Sequence, residues 1–496
     1  MTEKTRQSKN SHGSAVDEGK TIMQINRNMS AVVANNQLLG IEERLSASIE
    51  RLSSGLKINR ASDNPAGMAI SNKMKAQIDA LDQAEANAAD GISVVQIADG
   101  ALNEVSSILQ RIRELSVQAA NGINSYNDRK SMQDEVAELV KEVDRISSDT
   151  EYNTKKLLDG SSNVRVYGEN GSRYQISEAV DAKLYTLNVE SVATQATVAL
   201  QYEAPQTDGM VSINGVGAEI SATMSKEEYL EAVRDVATQA GCNVEISEDG
   251  TQMLILSDYY GYEEEVSVSV TEELALVSGI TAHEDCEYVA DKKEYLVHTV
   301  GKDAVVTIPT QLEGSGFTTT TTIECTGNRV VVTDNDGFSI DFLLDADYEP
   351  VANAENGNFE IDVTDIGSLT IQIGANEYQT MDVRIDEISA HTLYLDNVDV
   401  AVKNGADRAL SILDEAIAKV SAARSRIGAF QNRLEYAETS LSSSVENITA
   451  AYSGLLDTDM AEEMTEYTQQ NILNQAAISV LSQANELPQQ VLSMLQ

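Results

Sequence analysis

The sequence predicts a protein that is mainly α at its two ends, which together form a long antiparallel helical bundle or coiled coil with a β-hairpin. Between them it predicts a β-rich α+β central insert. Three observations lead there. Met23–Asp159 and Gly367–Gln496 are poor in proline and repeat apolar residues every three or four positions, the spacing of one helix face. The segment between them shifts to period-two alternation. Charge divides along the same boundary: residues 161–400 hold 44 acidic and 10 basic residues, a net −34 of the chain's −44.

The first 22 residues are polar and aperiodic and predict a disordered N-terminal extension. From there Ile25, Met29, Val32, Leu38, Leu45, Ile49 and Leu52 fall on one stripe, with 38, 45 and 52 in heptad spacing. Asn59 to Gly67 carries Asn, Asp, Pro and Gly and breaks the helix. Ile70, Met74, Ile78 and Leu81 restart it. Ile92, Val95, Leu102, Val105, Leu109, Ile112 and Leu115 continue the stripe to Asn121-Gly122. A further helix over 131–147 turns Val136, Leu139, Val140 and Val143 inward.

In the insert, Val164, Val166, Tyr185, Leu187 and Val189 alternate as strand residues do. Ser225 with Glu228 is a capping box. The helix it opens carries Tyr229, Val233, Val236 and Ala240 on one face, and strands follow, so 208–270 reads β-α-β-β. A second all-β stretch turns at Asp336-Gly337. Leu369–Ile373 and Met381–Ile385 form a hairpin, and helix resumes near Ala406. Gly454 and Asp457-Thr458-Asp459 mark a joint before the last helix, which uses Met460, Met464, Tyr467, Ile472, Ala476, Ile478 and Leu481; Pro488 precedes a final apolar Val491, Leu492 and Leu495.

Composition narrows the function. So acidic a chain does not neutralise phosphates, which argues against nucleic acid as a partner. No apolar run approaches the roughly 20 residues of a membrane span, and the N-terminal segment lacks the apolar core of a secretory signal peptide. Cys242, Cys286 and Cys325 are odd in number and form no CxxC pair, so no disulfide framework is expected. No catalytic, cofactor-binding or metal residues emerge. His283-Glu284-Asp285-Cys286-Glu287 lacks the second histidine of a zinc protease helix, and His12, His298 and His391 stand alone. Asp334-Asn335-Asp336-Gly337 has its glycine at the fourth rather than the sixth position of a calcium loop and reads as a turn. Thr318–Thr322 reads as a strand with an exposed face, with O-glycosylation as the other reading.

The ends carry long ordered motifs: Met23-Gln24-Ile25-Asn26-Arg27-Asn28, Glu50 to Ala61, Asp63-Asn64-Pro65-Ala66-Gly67, Leu109-Gln110-Arg111-Ile112-Arg113-Glu114-Leu115 and Glu151-Tyr152-Asn153. Toward the C-terminus follow Gly428 to Glu435, Asp457 to Ala461 and Gln483-Ala484-Asn485. With these the chain resembles bacterial flagellin, the subunit of the flagellar filament. Ser212–Val270, headed by Ile213-Asn214-Gly215-Val216, looks like the small repeat of flagellin and hook-protein inserts.

The resemblance implies a division of the chain: 23–65 as filament core and spoke, 66–190 as the N-terminal part of a helical rod, 191–365 as a variable outer region, 366–452 as the C-terminal rod and 453–496 as C-terminal filament core. It implies polymerisation into a helical homopolymer for swimming motility. Ile25, Met29, Leu38, Leu45, Leu52, Ile472, Ile478, Leu481, Leu492 and Leu495 would serve that assembly. The implied partners are an export chaperone, a filament cap and hook–filament junction proteins, and the implied route is flagellar type III export to the cell exterior. The resemblance also implies recognition by Toll-like receptor 5 through Leu109, Gln110, Arg111, Arg113, Glu114, Leu115 and Glu135, where an arginine beside an exposed leucine suits a hot spot. The chain departs from the family in residues 1–22, in Gly454 where the family carries arginine, and in the insert's cysteines. A hook–filament junction protein and a helical-stalk adhesin are the alternatives.

Overall fold

The computed structural model describes residues 28–494, apart from Glu178, Glu248, Glu284, 310–314, Thr319, Asp336 and 351–357, and without the side chains of Leu276, Val277, Val491, Leu492 and Met494. The expected disorder over 1–22, the assembly residues Ile25 and Leu495, and the Leu492 side chain lie outside the described residues, as does Asp336 of the expected turn. The helices are α1 (Met29–Ser54), α2 (Pro65–Ala119), α3 (Tyr126–Asp149), α4 (Lys226–Gln239), α5 (Glu272–Ser278), α6 (Gly405–Leu456) and α7 (Met460–Met494). The strands are β1 (Glu151–Tyr152), β2 (Lys155–Lys156), β3 (Arg165–Gly168), β4 (Gly171–Ile176), β5 (Leu184–Ser191), β6 (Gln195–Gln201), β7 (Gly209–Ile213), β8 (Val216–Ile220), β9 (Cys242–Ile246), β10 (Gln252–Tyr260), β11 (Glu265–Thr271), β12 (Cys286–Val289), β13 (Glu294–Val300), β14 (Val305–Thr307), β15 (Thr322–Thr326), β16 (Arg329–Thr333), β17 (Ser339–Leu344), β18 (Phe359–Thr364), β19 (Leu369–Gln372) and β20 (Thr380–Val383). The described residues form two compact units: residues 28–80 with 443–494, and residues 81–442.

In the first unit α1 packs along α7. Asn28 caps α1, its Oδ1 accepting from the Ala31 N–H at 3.1 Å, and Gly55 ends it in the left-handed region at φ 72°. At the break Asp63 accepts from the backbone N–H groups of Arg60 and Asn59, which hold its carboxyl below the ordinary range. Asn64 then caps α2, with Pro65 at the first helical position where its missing N–H has no cost. The break pairs with the second joint: Leu56 bridges Asp457, and Thr458 N–H donates to Gly55 O at 3.0 Å. Asp459 opens α7 by accepting from Ala461 and Glu462 N–H.

The second unit has three cores. The helical core joins α2, α3 and α6 through Val95, Leu102, Val105, Leu109, Ile112, Val136, Leu413, Val420 and Leu434, all fully or nearly fully buried. The hairpin β19–β20 lies against it, and an added Cβ at Gly91 of α2 would stand 2.6 Å from Ile371 Cδ1. The second core lies between the sheets β6-β10-β9 and β12-β13-β11-β7-β8, with α4 and α5. The third lies between β14-β5-β18-β3 and β15-β16-β17-β4, around Tyr185, Phe342 and Phe359.

The insert is nested. β3 leaves the helical part and pairs antiparallel with the returning β18, and Arg165 N–H donates to Ile366 O at 3.1 Å. Gly367 (φ 125°) is required there, because a Cβ would collide with the Asn163 carbonyl. Farther in, Thr194 and Lys302 exchange backbone hydrogen bonds of 2.8 and 3.1 Å, closing off the second core.

Four expectations are corrected. β3, β4 and most of β5 fall in the 66–190 stretch assigned to the rod, yet they pair with β14, β17 and β18, in keeping with the strand period read from Val164 onward. The unit read as β-α-β-β opens with the β7–β8 hairpin, turned at Asn214 (φ 44°) and Gly215 (φ 75°), and its strands divide between two sheets. The helix expected over 131–147 starts at Tyr126, because Ser125 and Asp128 form a capping box. Thr318, Thr320 and Thr321 are not strand: their hydroxyls gather on Asp334, and β15 starts only at Thr322.

Candidate functional site

Two surfaces concentrate the sequence-derived residues. The first is the α1–α7 pair. Leu38, Leu45, Leu52 and Leu481 are half-buried there, with Ala34 and Ala484 fully enclosed. A polar layer crosses the same packing: Ser48, Glu463 and Gln470 are buried, and Arg51 Nε lies 3.0 Å from Glu463 Oε2. Among the described residues, Glu463 Oε1, Gln470 Oε1 and Ser48 Oγ meet no hydrogen-bond partner. Met29 and Ile472 stay 63 % and 62 % exposed, and Ile478 is exposed with Val33, Leu39, Ile49, Val480 and Leu487.

One contact ties the ends of the two helices together. Pro488 lies inside α7 and has no N–H to give to the carbonyl four residues back, at Ala484. That carbonyl instead accepts from Asn28 Nδ2 at 2.7 Å. Asn28 thus caps α1 with its oxygen and repairs α7 with its nitrogen. The compensating amide is distant in sequence and is not legible from the residues around Pro488.

The second surface lies where α2 faces α3. Arg111 donates from Nε and Nη2 to Glu135 Oε1 at 3.0 and 2.8 Å, and from Nη1 to Glu114 Oε2 at 3.2 Å. These bonds, Glu135's first, raise the guanidinium pKa further. Arg113 Nε reaches Asp414 Oδ1 of α6 at 2.9 Å. Gln110, Arg111, Arg113, Glu114 and Glu135 are exposed. Leu109 and Leu115 are not: both sit in the helical core, so the expected exposed leucine beside Arg111 is absent. The helical period decides this, since 102, 105, 109, 112 and 115 share one inward stripe. Val117, farther along α2, is an exposed apolar residue off that stripe.

The remaining sequence candidates are dispersed. His298 bonds Glu265, His391 bonds Asp396, and His283 contacts the Ala199 carbonyl. Among the described residues no three His, Cys, Asp or Glu side chains converge as a metal site. Cys242, Cys286 and Cys325 are unpaired thiols; burial raises all three, Cys242 to about 12. No described helix is long and apolar enough to cross a membrane.

The chain matches two family models, the bacterial flagellin N-terminal helical region over residues 25–163 and the C-terminal helical region over residues 410–495. It is 32 % identical over 473 residues to a flagellin of Clostridium tyrobutyricum, covering 94 % of this chain and all of that one. A Salmonella typhimurium flagellin is 31 % identical over 505 residues (95 % of this chain, 99 % of that one), and a Bacillus subtilis flagellin 30 % over 475 residues (95 % and 100 %). Helical segments at both ends, a β-rich insert between them and identity along nearly the whole length place this chain in the bacterial flagellin family, the structural subunits of the extracellular flagellar filament.

Proposed function

We propose that α1 and α7 drive polymerisation. The observation that carries this is the row of large apolar side chains both helices leave in water, Met29, Ile49, Ile472 and Ile478 among them. Exposed apolar area of this extent calls for a cover, and a repeating copy of the same chain supplies it through an interface that does not close on itself. Helix nucleation is costly and most helix stability comes from packing, so both termini gain order on assembly. Such a chain suits type III flagellar export, with an export chaperone, a filament cap and junction proteins as further partners. The test is electron microscopy after salt- or seed-induced polymerisation of the full chain and of a truncation lacking Met460–Gln496. Filaments from the full chain alone are expected; filaments from both would reject the role of α7.

A second reading concerns host recognition. Arg111, held in place by Glu114 and Glu135, with Gln110 and Arg113 also exposed on α2, supports binding by Toll-like receptor 5. Its two salt-bridge partners pre-position the guanidinium at little entropic cost on binding. An Arg111→Ala monomer with unchanged receptor affinity would rule this out.

A further inference from the structure

A cleft of about 910 Å³ opens within the second unit, between β3–β4, the 386–393 segment and α6. We propose that it binds an acidic saccharide, whose carboxylate sits on Arg173.

Arg173 occupies the irregular point of β4, where the β17–β4 register slips, and it takes φ 57°. Its side chain is only 10 % exposed, and it lines the cleft. Nε and Nη1 donate to no acceptor, while Nη2 lies 3.4 Å from Asp396 Oδ2 and the guanidinium stands 4.9 Å from the centre of the Tyr394 ring. A buried charged donor without an acceptor is costly. The acids nearby are already engaged. Asp341 is taken by Arg329 at 2.6 Å and Lys419 at 3.2 Å, Glu415 by the same two cations, and Asp386 by Arg426. Arg173 is therefore supplied with donors the fold does not use.

The cleft also limits the kind of anion. Glu387 lines it; burial raises its carboxyl above the ordinary range although Ser389 Oγ donates to Oε1 at 3.0 Å, so a further hydrogen-bond donor would favour that group. Sulfate offers only acceptors, so it can serve Arg173 but gives nothing to the carboxyls of Asp159 and Glu387. A sugar carrying one carboxylate offers both an acceptor for Arg173 and hydroxyl donors for the acids. The Tyr167 ring, exposed at the wall, gives a pyranose an apolar face.

Calorimetry on the full monomeric chain with glucuronate, glucose and sulfate tests this. Glucuronate is expected to bind roughly tenfold or more tightly than glucose, the ratio of one charge-assisted hydrogen bond, and sulfate is not expected to displace it. Arg173→Gln should reduce glucuronate to the glucose level. Ala422→Trp, at an exposed α6 position on the cleft wall, should abolish binding of both sugars with circular dichroism unchanged, and it decides the matter if the Arg173 variant misfolds. Absence of glucuronate binding, binding insensitive to both substitutions, or displacement by sulfate at equal concentration would overturn the proposal.

Discussion

The Asn28–Ala484–Pro488 contact makes a quantitative prediction. Asn28→Asp keeps the cap, because Asn and Asp cap helices about equally, but replaces the amide donor with a carboxylate. The Ala484 carbonyl then loses its one long-range donor, in a partly buried position. An unmet acceptor of this kind costs about 1–2 kcal/mol. Pro488→Ala restores the i→i−4 bond within α7 and removes a penalty of up to about 3 kcal/mol for proline inside a helix. In that background the Ala484 carbonyl no longer needs Asn28, so Asn28→Asp should lose most of its effect. The double-mutant cycle should show a coupling of about 1–2 kcal/mol. The assay is thermal disassembly of filaments, followed by far-ultraviolet circular dichroism at fixed protein concentration because assembly makes the midpoint concentration-dependent. Equal cost of Asn28→Asp in both backgrounds would refute the reasoning.

Leu109→Ala should lower the melting transition of the second unit by an amount equivalent to about 2–5 kcal/mol, the range for a fully buried leucine, while Arg111→Ala leaves it in place and weakens receptor binding roughly tenfold or more; calorimetry and surface plasmon resonance separate the two. Gly91→Ala should destabilise the hairpin region, by about 1–3 kcal/mol for overpacking against Ile371, read by hydrogen exchange of β19–β20. Gly454→Arg, at an exposed position in the last turn of α6 with open space around its Cα, should stabilise filaments by about 0.5–1 kcal/mol through lost chain entropy and a favourable cation at a helix C-terminus, seen as a higher disassembly temperature. For Asp341, burial alone would raise the carboxyl, but Arg329 and then Lys419 hold it below its ordinary 3.8. Its stabilising effect is therefore present above that value and lost as pH falls through the lower folded one. Asp341→Asn should cost about 1.5–3 kcal/mol at neutral pH, the range for hydrogen bonds to a charged group, because Arg329 and Lys419 keep Glu415 as a partner, and it should flatten the acid limb of a urea-denaturation series.

Helical structure was legible where one stripe persisted: the spacing of Leu102, Val105, Leu109 and Ile112 marks the core that the fold builds. The same stripe buries Leu109 and Leu115, so period outweighs motif in assigning them. The Asn59–Gly67 and Asp457–Asp459 joints were legible because capping and turn residues act locally. Strand partners were not. β3 finds β18 almost 200 residues away, and no local pattern encodes that register. Asn214-Gly215 carried a hairpin signal in plain sight, and the β7–β8 strands around it are short enough to be read as one. Arg111 with Glu135 brings together two helices, a proximity that spacing along one helix does not reveal. Arg173 was illegible for another reason: its left-handed backbone at the β4 irregularity follows from packing, not from residue type.

The nested in-and-out strands confine sequence change. At Arg165 with Ile366, and again at Thr194 with Lys302, the outgoing and returning chains are already hydrogen-bonded neighbours. Whatever lies between such a pair can lengthen, shorten or be exchanged while its two attachment points stay fixed. Each seam therefore separates what lies beyond it from what lies before it: the sequence between can change in length or content while the seam's own hydrogen bonds, and the helices from which the outer strands spring, stay as they are.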